Sequence, residues 1–122
     1  MPVRLALRHT LLLVVALMAS LTATTLPASA HSGATSWDCI AHYESTHRWH
    51  INTGNGHYGG LQFSLSTWRY YGGPKLSGNA YPHRATRAEQ IAVAKRVAYT
   101  GWSGRAPQGG SHAWPNTWPR CH

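Results

Sequence analysis

Acidic side chains are scarce. Three Asp+Glu stand against 11 Lys+Arg in 122 residues, and the formal charge of +8 is more than internal ion pairs can cancel. A cationic partner is thereby excluded, and anionic or neutral ones are expected. Two cysteines allow no more than one disulfide. Long apolar runs are missing too: residues 11–21 form a stretch shorter than the roughly 20 apolar residues a spanning helix needs. Charged residues make up only 11% of the chain against 43% apolar, which excludes a charge-swollen disordered tail and predicts a folded core. The length leaves room for one small domain and excludes several domains or a coiled coil. What the chain has instead is 12 Gly, 7 Pro, 6 Trp and 6 Tyr, a composition that predicts a turn-rich fold filled by a few large rings.

Arg4, Arg8 and His9 precede the apolar stretch, which leads through Thr and Pro to Ala28-Ser29-Ala30. This is the layout of a secretory signal peptide, predicted to span residues 1–30 with cleavage after Ala30 and to leave no stable membrane anchor. Residues 31–36 are a short polar lead, and residues 37–122 form the domain. Without Arg4 and Arg8, nine Lys+Arg face the three acids, so the exported chain keeps a net charge of +6. In an oxidising compartment, Cys39 and Cys121 are expected to pair, tying the ends of the domain together. In the chain-entropy view a loop of this length is worth about 4 to 5 kcal/mol, comparable with the whole stability of so small a domain. A catalytic cysteine would need a free thiolate, which export disfavours.

Trp37, Ile40, Ala41 and Glu44 recur at helical spacing and predict a short first helix. Asn55-Gly56 is the sharpest turn signal and predicts a hairpin between Ile51 and Leu61. Ser64 is placed to cap a second helix reaching Tyr71 and stopped by Gly72-Gly73-Pro74, with a polar loop over residues 74–85. Thr86 and Glu89 spell a capping box, and the Ile91, Ala94, Val97, Ala98 stripe carries the third helix to a stop at Gly101. Residues 102–122 show no periodicity and are expected to form an ordered loop stapled by Cys121. The fold class that follows is α+β, mainly helical, with a short β-hairpin and one disulfide.

With only three acids, each can be weighed for a structural task first. Asp38 begins the first helix, where its charge meets the positive end of the macrodipole. Glu89 is the capping-box acid. Glu44 is left over, near the helix end where the dipole opposes a carboxylate; Tyr43 and Trp49 favour the neutral acid, whereas Arg48 and the positive field favour the anion. The residues alone leave Glu44 between a catalytic acid and a solvated surface side chain. Asn52, Asn55 and Gln62 offer amides of the kind that sugars prefer on a groove wall. Gly54, Gly56 and Gly59 match the G-x-G-x-x-G spelling, but no buried strand precedes them and no helix follows, so a dinucleotide site is excluded. His42, His47, His50 and His57 cluster in sequence, yet His42 and His47 are expected on different helix faces with no acid or Cys to complete a ligand set, so no metal and no cofactor are expected. No G-x-S-x-G elbow supports a serine nucleophile, and export argues against a nucleic-acid partner.

Trp37-Asp38, Ala41, Glu44-Ser45, Trp49, Ile51-Asn52-Thr53-Gly54-Asn55-Gly56, Tyr58-Gly59-Gly60-Leu61-Gln62-Phe63-Ser64, Thr67-Trp68, Gly72-Gly73 and Arg87 through Ala94 together resemble the catalytic domain of the resuscitation-promoting factors. These are secreted actinobacterial cell-wall enzymes with a compact lysozyme-like fold. The resemblance runs from Trp37 to about Val97 and resumes weakly at Ala113-Trp114-Pro115 and Cys121. It implies that Glu44 is the catalytic acid. The implied reaction cleaves the β-1,4 bond between N-acetylmuramic acid and N-acetylglucosamine, by hydrolysis or by anhydro-forming transglycosylation. Asn52, Asn55, Gln62 and Thr67 become the groove candidates. Peptidoglycan strands and anionic wall polymers are the implied partners of a monomeric, secreted, wall-associated protein. The alternative is a non-catalytic wall-binding or growth-signalling protein. The chain departs from the family in three ways: Ser45-Thr46-His47-Arg48-Trp49 replaces the usual Ser-Gly-Gly-Asn-Trp, Tyr43 stands where the family's first cysteine precedes the Glu, and the tail between Trp102 and Cys121 is longer.

Overall fold

The computed structural model describes residues 35–122. The expected leader over residues 1–30 and residues 31–34 of the polar lead lie outside the described residues. Helix α1, Ser36–Ser45, begins with a capping box that the sequence reading did not find: the Thr35 hydroxyl accepts from the Asp38 N–H, and the Asp38 carboxylate accepts from the Thr35 N–H at 2.9 Å. Two two-residue strands follow, β1 at His57–Tyr58 and β2 at Phe63–Ser64, paired antiparallel with His57 opposite Ser64 and Tyr58 opposite Phe63. The expected hairpin is thus displaced. Asn55-Gly56 turns the chain so that Asn52 meets Tyr58 in a single bridge, while the ladder proper closes around residues 59–62. The tighter turn is enabled by Gly59 (φ 78), where an added Cβ would stand 2.4 Å from the Gln90 side-chain oxygen.

Helix α2, Leu65–Tyr70, is capped by Ser64 as the sequence predicts. The expected polar loop over residues 74–85 is corrected to a short helix α3, Gly73–Ser77, followed by a 3₁₀ turn, Pro82–Arg84. Gly72-Gly73-Pro74 stops α2 and also starts α3, because a proline in the first helical turn removes only an N–H that has no helical partner. Helix α4, Arg87–Lys95, opens with the predicted Thr86/Glu89 capping box and continues as a π-helical turn, Arg96–Thr100. There the Gly101 N–H bonds to the Arg96 carbonyl at 2.8 Å, which leaves the Val97 carbonyl free to accept from the N–H groups of Gln108 and Gly109 at 2.8 and 3.0 Å. The wide turn is what docks the tail.

The tail carries two further short helices where only an ordered loop was expected: α5, Gly110–Ala113, and α6, Trp118–Cys121. Their signal is hidden because aromatic packing holds them, with Trp37 meeting Trp114 and Trp118 at ring-centroid separations of 5.4 and 5.8 Å. The predicted disulfide joins Cys39 to Cys121 with a Cα separation of 5.7 Å. The core gathers Trp37, Ile40, Leu61, Phe63, Trp68, Val93, Val97 and Trp114, with Leu76 of α3 and Trp118 and Cys121 of α6 packed against it. The result is the α+β, mainly helical fold with one hairpin and one disulfide that the composition and spacing predict.

Inside that core sits one amide. Gln90 is fully buried; its oxygen accepts from the Gly60 N–H at 2.9 Å, and its nitrogen donates to the carbonyls of Trp49 and Ala85 at 2.8 and 3.0 Å. One side chain therefore satisfies three backbone groups that would otherwise be buried unpaired, and fixes the hairpin against α4.

Candidate active site

Glu44 stands in the last turn of α1, where the following residue determines its position. Ser45 is 3% exposed, and its hydroxyl lies 2.9 Å from the Gly60 carbonyl and 3.1 Å from the Ala41 carbonyl while accepting the Arg48 N–H at 3.0 Å. The helix end is pinned to the hairpin loop in this way. Thr46 and His47 then reverse the chain through the left-handed region, with φ 53 and 61, and their N–H groups close on the carbonyls of His42 and Ala41. This reversal brings the His42 and His47 rings to 5.4 Å, correcting the expectation that they occupy different helix faces, because His47 lies beyond the end of α1. Arg48 turns back to donate from Nε to the Ser45 carbonyl at 2.8 Å, a cation on the helix C-terminus.

The Glu44 carboxyl is half-buried in a cleft of ≈ 270 Å³. Its Oε1 accepts a hydrogen bond from the Thr117 hydroxyl at 2.9 Å, and Thr117 is itself 7% exposed. His57, Gln62, Ser64 and Thr67 line the cleft from the hairpin and α2; Gln108, His112, Trp114 and Asn116 line it from the tail; buried Phe63 and Val97 complete it. Tyr43 and Trp49, Glu44's aromatic neighbours in sequence, do not line it: Tyr43 lies under the Arg120 guanidinium at 5.0 Å, and Trp49 under Arg87 at 5.4 Å.

Of the four groove candidates, the structure brings Gln62 and Thr67 to Glu44's cleft. Gln62 occupies the left-handed region at φ 56, a cost a non-glycine residue bears where its side chain must be aimed; Nε2 donates to the Gly59 carbonyl at 2.9 Å. Thr67 receives the Ser64 hydroxyl at 2.9 Å. Asn52 and Asn55 are not part of the lining. Their side-chain oxygens close local turns onto the N–H groups of Gly54 and His57 at 3.1 and 2.9 Å. Thr117, Gln108 and Trp114 were missed. No local pattern marks Thr117, which lies 73 residues from the acid it touches.

The other two acids are fully engaged elsewhere. Glu89 accepts from the Thr86 N–H at 2.9 Å. Asp38 takes Arg87 Nε at 2.9 Å and also its Nη2, besides its bonds to Thr35. Burial pushes the Asp38 carboxyl up, but the Arg87 guanidinium and the Thr35 donors outweigh it and hold the group below the usual aspartate value. Neither acid lines the cleft. Among the described residues no group of three or more His, Cys, Asp or Glu converges to hold a metal ion.

A mainly helical domain with one short hairpin and one disulfide fits the small lysozyme-like α+β fold of the transglycosylase-like domain. Residues 31–121 match the transglycosylase-like domain, and the chain belongs to that family, as found in the resuscitation-promoting factors. It is 44% identical over 96 residues to resuscitation-promoting factor Rpf1 of Corynebacterium glutamicum, covering 78% of this chain and 42% of that protein. It is 45% identical over 95 residues to resuscitation-promoting factor RpfC of Mycobacterium tuberculosis, covering 77% of this chain and 56% of that one. With resuscitation-promoting factor Rpf of Micrococcus luteus the identity is 45% over 80 residues, 65% of this chain and 30% of the relative. The matched region therefore spans about a third to a half of the curated relatives' length.

Proposed function

We propose that the domain cleaves the glycan strands of peptidoglycan at the β-1,4 bond between N-acetylmuramic acid and N-acetylglucosamine, with Glu44 as the catalytic acid, in the wall remodelling that accompanies resuscitation. The observation that carries this reading is that Glu44 is the one acid of three that opens into the cleft, while Asp38 and Glu89 are bonded to Arg87 and Thr86. Family membership and the amide-rich lining support it.

Cleavage of a glycosidic bond needs a proton on the leaving oxygen as positive charge develops at the anomeric carbon. Protonated Glu44 delivers it. Because the Thr117 hydroxyl donates to Oε1, the acidic hydrogen is carried on Oε2, the oxygen left for substrate. With no second carboxylate in the cleft, the N-acetyl group of the substrate itself stabilises the cation. Glu44, now a carboxylate, then removes a proton from the nucleophile that reaches the anomeric carbon. If that nucleophile is the sugar's own 6-hydroxyl, the product is an anhydro sugar; if water, a reducing end. The basic surface concentrates the exported domain on an anionic wall, an attraction that weakens with salt.

The test is lysis of purified walls by the wild type and by Glu44→Gln. Loss of activity by about a hundredfold or more is expected, with the fold unchanged by circular dichroism. Undiminished lysis by the variant, or none by either protein, overturns the enzymatic reading. Mass spectrometry of the released fragments then distinguishes anhydro from hydrated ends.

A further inference from the structure

An open depression of ≈ 500 Å³ is lined by His47, Arg48, Trp49, His50, Ile51 and Arg87, with no acid among its lining. It shares no residue with the Glu44 cleft. Trp49 and Ile51 are partly buried and give it an apolar base, while the four basic side chains are exposed around them. Its charged chemistry is therefore of one sign.

The basic groups are held before any ligand arrives. Arg87 lies over the Trp49 ring at 5.4 Å and gives Nε and Nη2 to Asp38. Arg48 gives Nε to the Ser45 carbonyl at 2.8 Å, and His50 Nδ1 lies 2.8 Å from the His83 carbonyl. Exposed Arg84 follows His83, so positive charge continues past the rim. Backbone strain points to the same place. Thr46 and His47, at φ 53 and 61, hold a left-handed conformation that glycine adopts without steric cost. They stand, with Arg48, where the family motif has Gly-Gly-Asn, so this chain accepts a strained turn and gains an imidazole and a guanidinium there.

The size and the donors favour a chain of phosphates over a single carboxylate. An opening of this volume admits more than one anionic group. With Nε of each arginine already spent, neither guanidinium offers the side-on fork that matches a flat carboxylate. Separate point donors around an opening suit tetrahedral phosphates, which accept from several directions. We propose that this depression binds a phosphodiester-linked polyanion of the cell wall and docks the domain through a surface separate from the Glu44 cleft. Its placement at the wall rests on the glycan-cleaving reading; the binding itself does not, and its test leaves catalysis aside.

The probe is synthetic poly(glycerol phosphate), titrated into the protein at low ionic strength, where screening is weak. His47→Gly combined with Arg48→Asn should weaken binding about tenfold or more, the loss expected when charge-assisted hydrogen bonds are removed. Its thermal midpoint should hold or rise, since glycine relieves the turn at residue 47. Arg69→Gln combined with Lys75→Gln removes two exposed cations from α2 and α3 and should weaken binding less than about threefold. Polyglutamate of equal charge should bind the wild type at least about fivefold more weakly than the phosphate polymer. In NMR spectra the phosphate polymer should shift the Trp49 indole and the His47 and His50 ring signals and leave those of Gln62 and Thr67 in place.

Equal losses in the two double variants would make the attraction a property of net charge and overturn the site. Equal affinity for the two polymers, or shifts confined to the Glu44 cleft, overturns it as well. A protein that lyses no wall yet loses phosphate-polymer binding through His47→Gly and Arg48→Asn alone overturns the catalytic reading and leaves the docking site standing.

Discussion

The two walls of the Glu44 cleft are built by different means. The hairpin wall is held by backbone and amide chemistry: Gln90 bonds the Gly60 N–H from inside the core, Ser45 reaches the Gly60 carbonyl, and Asn52 and Asn55 close their own turns. Removing Gln90 or Ser45 there strands buried polar groups. The tail wall has little regular structure of its own. The Cys39–Cys121 bond, the Trp37, Trp114 and Trp118 rings, and two N–H groups on the Val97 carbonyl hold it in place. One wall is thus held mainly by hydrogen bonds, and the other mainly by a disulfide and packed rings. Glu44 belongs to the helix that both fastenings reach, through Ser45 on one side and Cys39 on the other.

The difference is broken most severely at the disulfide. Reduction, or the Cys39→Ser, Cys121→Ser double variant, should cost about 4 kcal/mol, read as a lowered midpoint in denaturant. Activity should fall before global unfolding, because the tail loosens first. A midpoint shifted by less than about 1 kcal/mol would show that the aromatic rings alone suffice. On the opposite wall, Gln90→Leu should cost about 2 to 3 kcal/mol, since it leaves the Gly60 N–H and two carbonyls buried without partners. Amide exchange should speed up first at Gly60 and its neighbours rather than in the tail; the reverse pattern contradicts the division between the walls.

Thr117→Val sharpens the comparison at the one bond from the tail to the acid. A stability loss of about 1 kcal/mol is expected, with kcat down about tenfold, KM little changed and the pH profile displaced; Thr117→Ser should restore most of the rate. A variant that loses stability but keeps its rate and profile would reduce Thr117 to a packing residue.

The smallest effect is acid sensitivity, and it falls outside both walls. Burial, with Arg84 and His50 adding repulsion, holds His83 below the usual histidine value, and its Nδ1 is buried without a partner. Below about pH 6.5 the unfolded chain therefore binds a proton that the folded one resists, so stability present above that pH is lost as it falls. The depressed Asp38 adds a second loss below about pH 3.9, as its pairing with Arg87 is titrated away. Thermal midpoints recorded from pH 7 to 3 should fall in these two windows, with the upper one absent in His83→Phe.

Much of this was legible in the residues, and what was not has a physical explanation. The Thr86/Glu89 box, the Ser64 cap and the cysteine pair are signals carried by one or two side chains, and each led to the right element. Glu44 stood out as the acid without a structural task because so few acids compete with it, and its proposed role rests on the family resemblance. Gln90 could have been found: it shares an inward face with Ala94 of α4 and Val97 of the π-helical turn, at helical spacing, where a polar residue demands a reason. Helices α3, α5 and α6 are too short to show a period, and tertiary contacts hold them. The separation of Gln62 and Thr67 from Asn52 and Asn55 depends on where the turn tightens, which the paired Asn-Gly signals obscured. The Thr117 hydroxyl could not be anticipated, since nothing local links it to Glu44.

Trp114 belongs to the tail, yet its indole N–H donates to the Leu61 carbonyl of the opposite wall at 2.8 Å while the ring is 5% exposed. The gap is therefore spanned by a rigid strut, and its gauge is fixed. Whatever enters such a slot meets walls whose spacing the fold has set before it arrives.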